Sequence, residues 1–396
     1  MLKSNCRNRL RYRPRRIAGL LTWATCLLVA TAATSQEFES SFSFDANELS
    51  IASLIGEVQV RGHAGSAFEV KAHVRGRDAS AELVRFEEAN GKRAELRVHF
   101  PTDKHRRYIY PEMSRGSRTR FRPNKRDGNW LGRMLDLGRG DIEVRGGAFR
   151  DAIEVWVDLE VLVPRDRVAA IYLGVGAMQA SGVQAALELD THSGSVDVDQ
   201  LRGSLVVDTG SGSVRVDRVT GNVDVDTGSG GIEVNDVEGA DIVRVDTGSG
   251  SVVVTRVEAR DLEVDTGSGS VDVDRARVTD LHIDTGSGGV EATDIETDGA
   301  LIDTGSGGVR LQLTRMGRGD YKVDTGSGGI RLTLPQEISA EFDIDTSSGG
   351  IDVDIDGVRL PRRPRNEAHF TVGDGDSRVR LSTGSGSVRI KQGRSG

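Results

Sequence analysis

An all-β fold built as a parallel solenoid is the class this sequence predicts, and three observations predict it. First, Asp-Thr-Gly-Ser-Gly recurs with its Thr at 209, 227, 247, 266, 285, 304 and 325. Variants stand at Thr191 (Asp-Thr-His-Ser-Gly) and Thr346 (Asp-Thr-Ser-Ser-Gly), and a last copy without the Asp stands at Thr383. Successive steps are 18, 18, 20, 19, 19, 19, 21 and 21 residues, then 37 across an insertion holding Pro361-Arg362-Arg363-Pro364-Arg365. Second, each period reads as strand, turn, strand: Val223-Asp224-Val225-Asp226-Thr227 alternates, Gly228-Ser229-Gly230-Gly231 turns, and Ile232-Glu233-Val234 alternates again. Period-2 alternation means one buried and one wet face, and no helical period is present. Third, a unit of about 19 residues cannot bury its own apolar face, but stacked coils can. The result expected is a right-handed parallel β-helix of about ten regular rungs, a rod roughly 50 Å long. With 50 Gly but only 8 Pro, and no Gly at every third position, collagen is excluded.

The elements follow in chain order. Residues 1–33 hold seven basic side chains and no acid, then an apolar run from Ile17 to Ala33 that ends in small residues. That order of basic, apolar and small predicts a signal peptide cleaved near Ala32 or Ala33, hence export to the periplasm, the outer surface or beyond. Cys6 and Cys26 both lie in this segment, so the mature chain has no thiol chemistry. Residues 34–101 read as short strands, such as Gly56-Glu57-Val58-Gln59-Val60 and Phe68 to Val74, and are expected to form irregular coils capping the rod. Residues 151–180 continue in the same style and lead into the solenoid of residues 181–396, which is interrupted at about 357–375.

Residues 102–150 differ in kind, with 13 Lys or Arg against 6 Asp or Glu. Residues 151–396 carry a net charge of −19. A basic insertion thus sits on an acidic rod. It is expected to be a solvated loop, and its charge suits anionic lipid headgroups or lipopolysaccharide. Nucleic acid is excluded as a partner for an acidic exported chain.

Within a coil, alternation points Val223, Val225 and Thr227 inward and Asp224 and Asp226 outward. Inward Thr and Ser are expected to hydrogen-bond to their equivalents one rung away. Gly228 and Gly230 are expected to supply positive φ at a corner that every coil repeats.

The opening Leu49-Ser50-Ile51 to Val60, the lead-in Val161-Leu162-Val163-Pro164 and the ladder of Thr-Gly-Ser-Gly-Ser-Val units resemble the bacterial putative-adhesin β-strand-repeat family, DUF4097. The likeness covers roughly residues 45–101 and 151–396. It implies an exported right-handed β-helix and carries over no catalytic residues; the basic segment looks like an insertion.

The outward column Asp190, Asp208, Asp226, Asp246, Asp265, Asp284, Asp303, Asp324 and Asp345 is the candidate site. Carboxylates at rung spacing repel, so something must offset them. One account is local: each Asp accepts hydrogen bonds from the following turn amides. The other is a ladder of bound Ca²⁺, although the glycine-rich nonapeptide of calcium β-rolls is missing. Asp-Thr-Gly also occurs in aspartic proteases, but a dyad needs two facing loops and a solenoid puts equivalent loops in single file. His192 and His282 have no metal-ligand spacing and read as surface substitutions. Residues 181–396 contain only Tyr321, Phe342 and Phe370 as aromatics, few for a sugar-stacking cleft. The expected function is therefore non-enzymatic envelope binding or adhesion without a cofactor, and the alternative is a carbohydrate-active β-helix enzyme using surface carboxylates.

Overall fold

The computed structural model describes residues 37–121, 135, 140–147, 150–360 and 366–393, and every regular element among them is a strand. The proposed signal segment, with Ala32 and Ala33, lies outside the described residues, as do Pro361 to Arg365.

Two columns of parallel strands form the rod. One stacks Val168–Val175, Ala186–Ser193, Leu205–Thr209 and Val223–Thr227, and the other stacks Met178–Val183, Val196–Arg202 and Val214–Thr220. Each strand pairs with its equivalent one coil on, so Val207 lies against Val225, then Val245, Val264, Ile283, Ile302 and Val323. β-branched residues fill this repeating interior because they fit a pleated surface packed on both sides, and these side chains are buried.

A coil also bends within its second strand. Gln200, Arg218, Asp236, Arg256, Arg275 and Asp294 stack at one position with φ between 54° and 58°. Each is skipped in the pairing, so that Val216 and Val219, three residues apart, both face the core. The bend is absent from Val309–Met316, where Leu311 and Leu313 are buried two apart and Gln312 has no positive φ.

The last coils do not stack in sequence order. Ser377–Thr383 lies between Asp320–Thr325 and Ala340–Thr346, pairing in parallel with both, and Val388–Gln392 lies likewise between Ile330–Leu334 and Ile351–Asp354. Charge favours this order. The coil spanning residues 340–354 points Glu341, Asp343, Asp345, Asp352 and Asp354 outward, whereas the inserted coil points Arg378, Arg380, Arg389 and Lys391 outward and has Ser382 where the repeat has Asp. Arg378 pairs with Glu341 at 3.6 Å and Arg389 with Asp352 at 3.2 Å.

Antiparallel strands close the ends: Phe38–Phe44 on Phe68–Arg75, Arg85–Ala89 on Arg93–His99, and Glu367–Val372 on Ala340–Thr346. Such strands cover edges that would otherwise pair with another chain. At the second end Phe370 stacks on the buried Phe342, with ring centroids 4.7 Å apart.

The basic insertion is not the solvated loop its composition suggests. Its described residues form a three-stranded sheet of Arg107–Ile109, Ile142–Arg145 and Arg118–Phe121. Tyr108, Tyr110, Phe121, Ile142 and Val144 are buried in one core with the rod, and Tyr110 packs on Trp156 at 6.0 Å. The aromatic residues interleaved with the arginines supply the apolar face that net charge conceals.

Candidate functional site

The aspartates expected to form a column do so from Asp190 through Asp324, in direct register. Asp345 does not follow Asp324, because Ser382 of the inserted coil stands between them. The column therefore has a hydroxyl break near one end.

The threonines beside these aspartates are buried, as alternation predicts. Their bonding differs from expectation. Thr285 Oγ1 donates to the Gly269 carbonyl of the preceding coil at 3.0 Å and accepts from the Gly288 amide of its own turn at 3.1 Å. Thr247, Thr266, Thr304 and Thr325 repeat both bonds. A hydroxyl both donates and accepts, so one Thr ties a turn to itself and to the turn below. Thr191, the first in the column, packs against Leu173 and its Oγ1 has no partner.

This bonding answers the question of the turn amides. The Gly250 amide goes to Thr247 Oγ1 and the Gly248 amide to the Thr227 carbonyl, so threonine and backbone, not Asp246, take the two glycine amides of this turn. The carboxylates keep their repulsion instead. Burial raises the Asp208 carboxyl above the ordinary aspartate value of 3.8. Burial and then the neighbouring Asp208 and Asp224 raise Asp226, burial with Asp226 and Asp224 raises Asp246, and burial with Asp246 raises Asp265. Among the described residues no three His, Cys, Asp or Glu side chains converge to hold a metal ion, so the geometry gives the calcium ladder no cage.

Glycine is required at the corner for a reason other than the expected positive φ. A Cβ built on Gly269 would lie 1.7 Å from the Gly250 carbonyl oxygen, and one on Gly288 would lie 1.7 Å from the Gly269 oxygen. Neither glycine has a positive φ, nor has Gly228; Gly230, at +159°, is close to extended backbone. Turns stack so closely that the carbonyl below occupies the space of a side chain.

His192 is the residue that sequence reasoning missed. It replaces the first glycine of the motif, and its ring packs on Phe121 of the insertion with centroids 4.6 Å apart. Thr119 Oγ1 beside it donates to Ser193 Oγ at 3.1 Å. Burial pushes the His192 imidazole below its ordinary value of 6.5, favouring the neutral ring. The departure from the repeat was the available signal, because it marks where the insertion docks. His282 lies elsewhere, in a shallow groove with Arg244, Glu263 and Asp284.

The Toastrack DUF4097 family model matches residues 220–391. No curated protein matches the chain. Solved structures resemble it at low identity. A putative adhesin from Parabacteroides distasonis is 14% identical over 90% of this chain and 97% of that one, with a TM-score of 0.39. A putative adhesin from Bacteroides fragilis is 9% identical over the same shares, with a TM-score of 0.31. A putative cell adhesion protein from Clostridium sporogenes is 10% identical over 90% of this chain and 100% of that one, with a TM-score of 0.18. Over residues 220–391 this chain thus resembles the Toastrack DUF4097 family.

Proposed function

We propose that this protein is an exported, non-enzymatic β-solenoid of adhesin type that binds a polymer or protein of the bacterial envelope through its repeated surface columns. The observation that carries this reading is the registered repetition: Asp190 to Asp324 follow one another coil by coil, facing the same way. Equal groups in single file at about 4.8 Å supply many similar weak contacts, which add as avidity. Catalysis asks for the opposite, a few groups that differ in setting and converge on one atom.

Deleting Thr247 to Asp265 tests the reading. It removes one period and joins Asp246 to Thr266, restoring the motif. The variant is expected to fold and to bind isolated envelopes with affinity reduced by a modest factor, measured by co-sedimentation of the chain from residue 34 onward. Complete loss of binding in a folded variant contradicts distributed contacts. Turnover of an envelope polysaccharide by the parent chain, abolished in the variant, points to the enzyme instead.

A further inference from the structure

The order of the last coils creates a cluster of like charge on the face of the second strand column. The residues pointing outward there run Asp272, Glu291, Arg310, Arg331, Arg389, Asp352 in registered succession. Had the chain stacked in sequence order, Arg331 would lie against Asp352 and pair with it. Insertion of the C-terminal coil puts Arg389 there instead. Arg310 is neutralised by Glu291 at 2.5 Å, and Arg389 by Asp352 at 3.2 Å. Arg331, between them, has no carboxylate partner among the described residues. Two residues along the strand, Thr333 is flanked by Gln312 and Lys391, so the surroundings add donors and a further cation.

An open groove runs beside these arginines, with Asp272 and Glu291 lining one end, and is bounded on its other side by Gly289, Gly308, Gly329 and Ser387. Packing constrains these glycines far less than those at the corner. A Cβ would meet the nearest carbonyl oxygen at 3.5, 3.3 and 3.2 Å respectively, against 1.7 Å at the corner glycines Gly269 and Gly288. At the same position other coils carry either serine, as Ser213, Ser251, Ser270 and Ser387, or glycine, as Gly231 and Gly350. Gly308 and Gly329 thus leave the groove open beside Arg310 and Arg331, while the Arg389 coil carries Ser387.

We propose that this groove is an oxyanion site, in which a phosphate or sulfate group sits between Arg310, Arg331 and Arg389. Guanidinium groups offer paired N–H donors matched to such oxygens, and an anion there relieves the repulsion that the inserted coil introduces. The proposal is independent of envelope binding, because it concerns the anionic group alone.

Inorganic phosphate, titrated into the full chain at constant ionic strength, is the probe, read by calorimetry and by thermal shift. Saturable binding is expected, weakened at least ~10-fold by Arg331→Gln and unchanged by Arg244→Gln, an arginine on the other strand column that Glu263 neutralises at 2.8 Å. Gly308→Ser, which asks the Gly329 carbonyl to give by only a few tenths of an ångström, fills the groove and is expected to weaken binding while leaving the charge intact. Absence of saturable binding in the parent chain, or equal binding by Arg331→Gln and the parent, overturns the proposal. Vesicles of phosphatidylglycerol against phosphatidylcholine separate the sources: co-sedimentation lost with Arg331→Gln assigns a lipid headgroup, and phosphate binding without vesicle binding assigns the free ion or a soluble ester.

Discussion

The coils from Met178 to Thr297 turn at two unusual corners, and the two demand opposite things of the sequence. At the Thr-Gly-Ser-Gly corner the backbone conformation is ordinary but there is no room, because the carbonyl of the coil below lies where a Cβ would be. At the corner formed by Gly182 and then Gln200, Arg218, Asp236, Arg256, Arg275 and Asp294 the backbone is left-handed, yet glycine fills it only in the first of these coils and the other side chains project outward. The comparison separates two uses of glycine that are often merged, freedom of φ and freedom from a side chain. Here Gly269 and Gly288 serve the second, while the first falls to Gly182 in one coil and is met at a cost by glutamine, arginine and aspartate in the six that follow.

The largest way to break this comparison is Gly269→Ala. Its Cβ must displace the Gly250 carbonyl and with it the stacked turns, so a loss of about 3 kcal/mol or more is expected in denaturant unfolding. A change within the scatter of surface mutations, about 0.5 kcal/mol, would mean the turns are not in contact. Thr285→Val comes next. It keeps the shape but leaves the Gly269 carbonyl and the Gly288 amide without their partner, for an expected loss of about 2 kcal/mol. The left-handed corner should respond with the other sign. Gln200→Gly removes a left-handed cost of about 1–2 kcal/mol, offset by the extra freedom of glycine in the unfolded chain, so a net gain below about 1 kcal/mol is expected as a raised Tm.

Titration distinguishes two further regions, the aspartate column and the docked insertion. Asp226 has a folded pKa above 3.8, so the folded state binds its proton more tightly than the unfolded chain does. Its contribution to stability rises as pH falls through the folded value and levels off below 3.8. Asp226→Asn should accordingly raise Tm slightly at pH 7 and flatten this gain. His192 has a folded pKa below 6.5, so its neutral form is favoured and stability is lost as pH falls below 6.5. Proteolysis of the insertion should therefore speed up as pH falls from 7 toward 5, and His192→Phe should remove that dependence. An unchanged pH dependence in His192→Phe would show that docking is controlled elsewhere.

Much of this was legible in the sequence because the repeat is its own alignment. Strand positions, buried threonines and the outward aspartates follow from period-2 alternation at a fixed spacing. The left-handed corner was also legible, in the three-residue spacing of Val216 and Val219, but only to a reader who treats a break in alternation as signal. Glycine's steric role was not, since it depends on how closely one coil lies on the next. The insertion was misjudged because net charge says nothing of Tyr108, Tyr110 and Phe121 packing on one side. The displaced C-terminal coil was hidden because Ala340–Thr346 and Ser377–Thr383 carry interchangeable core patterns, and the choice between them falls to outward charges such as Arg378 and Glu341.

The stacking order of the last coils underlies both the broken aspartate column and the arginine cluster, and one cross-linking experiment tests it. Lys322 lies directly opposite Arg380, while Asp343 is one coil further away. Registered neighbours are about 4.8 Å apart, within reach of a disulfide, and next-but-one neighbours at about twice that distance are not. In the chain from residue 34 onward, which has no cysteine of its own, the pair Lys322→Cys with Arg380→Cys should oxidise to an intramolecular disulfide in the native state, and the pair Lys322→Cys with Asp343→Cys should not. Rapid bridging of the second pair with none in the first would mean that the coils stack in sequence order, and would remove the arginine cluster along with the inserted coil.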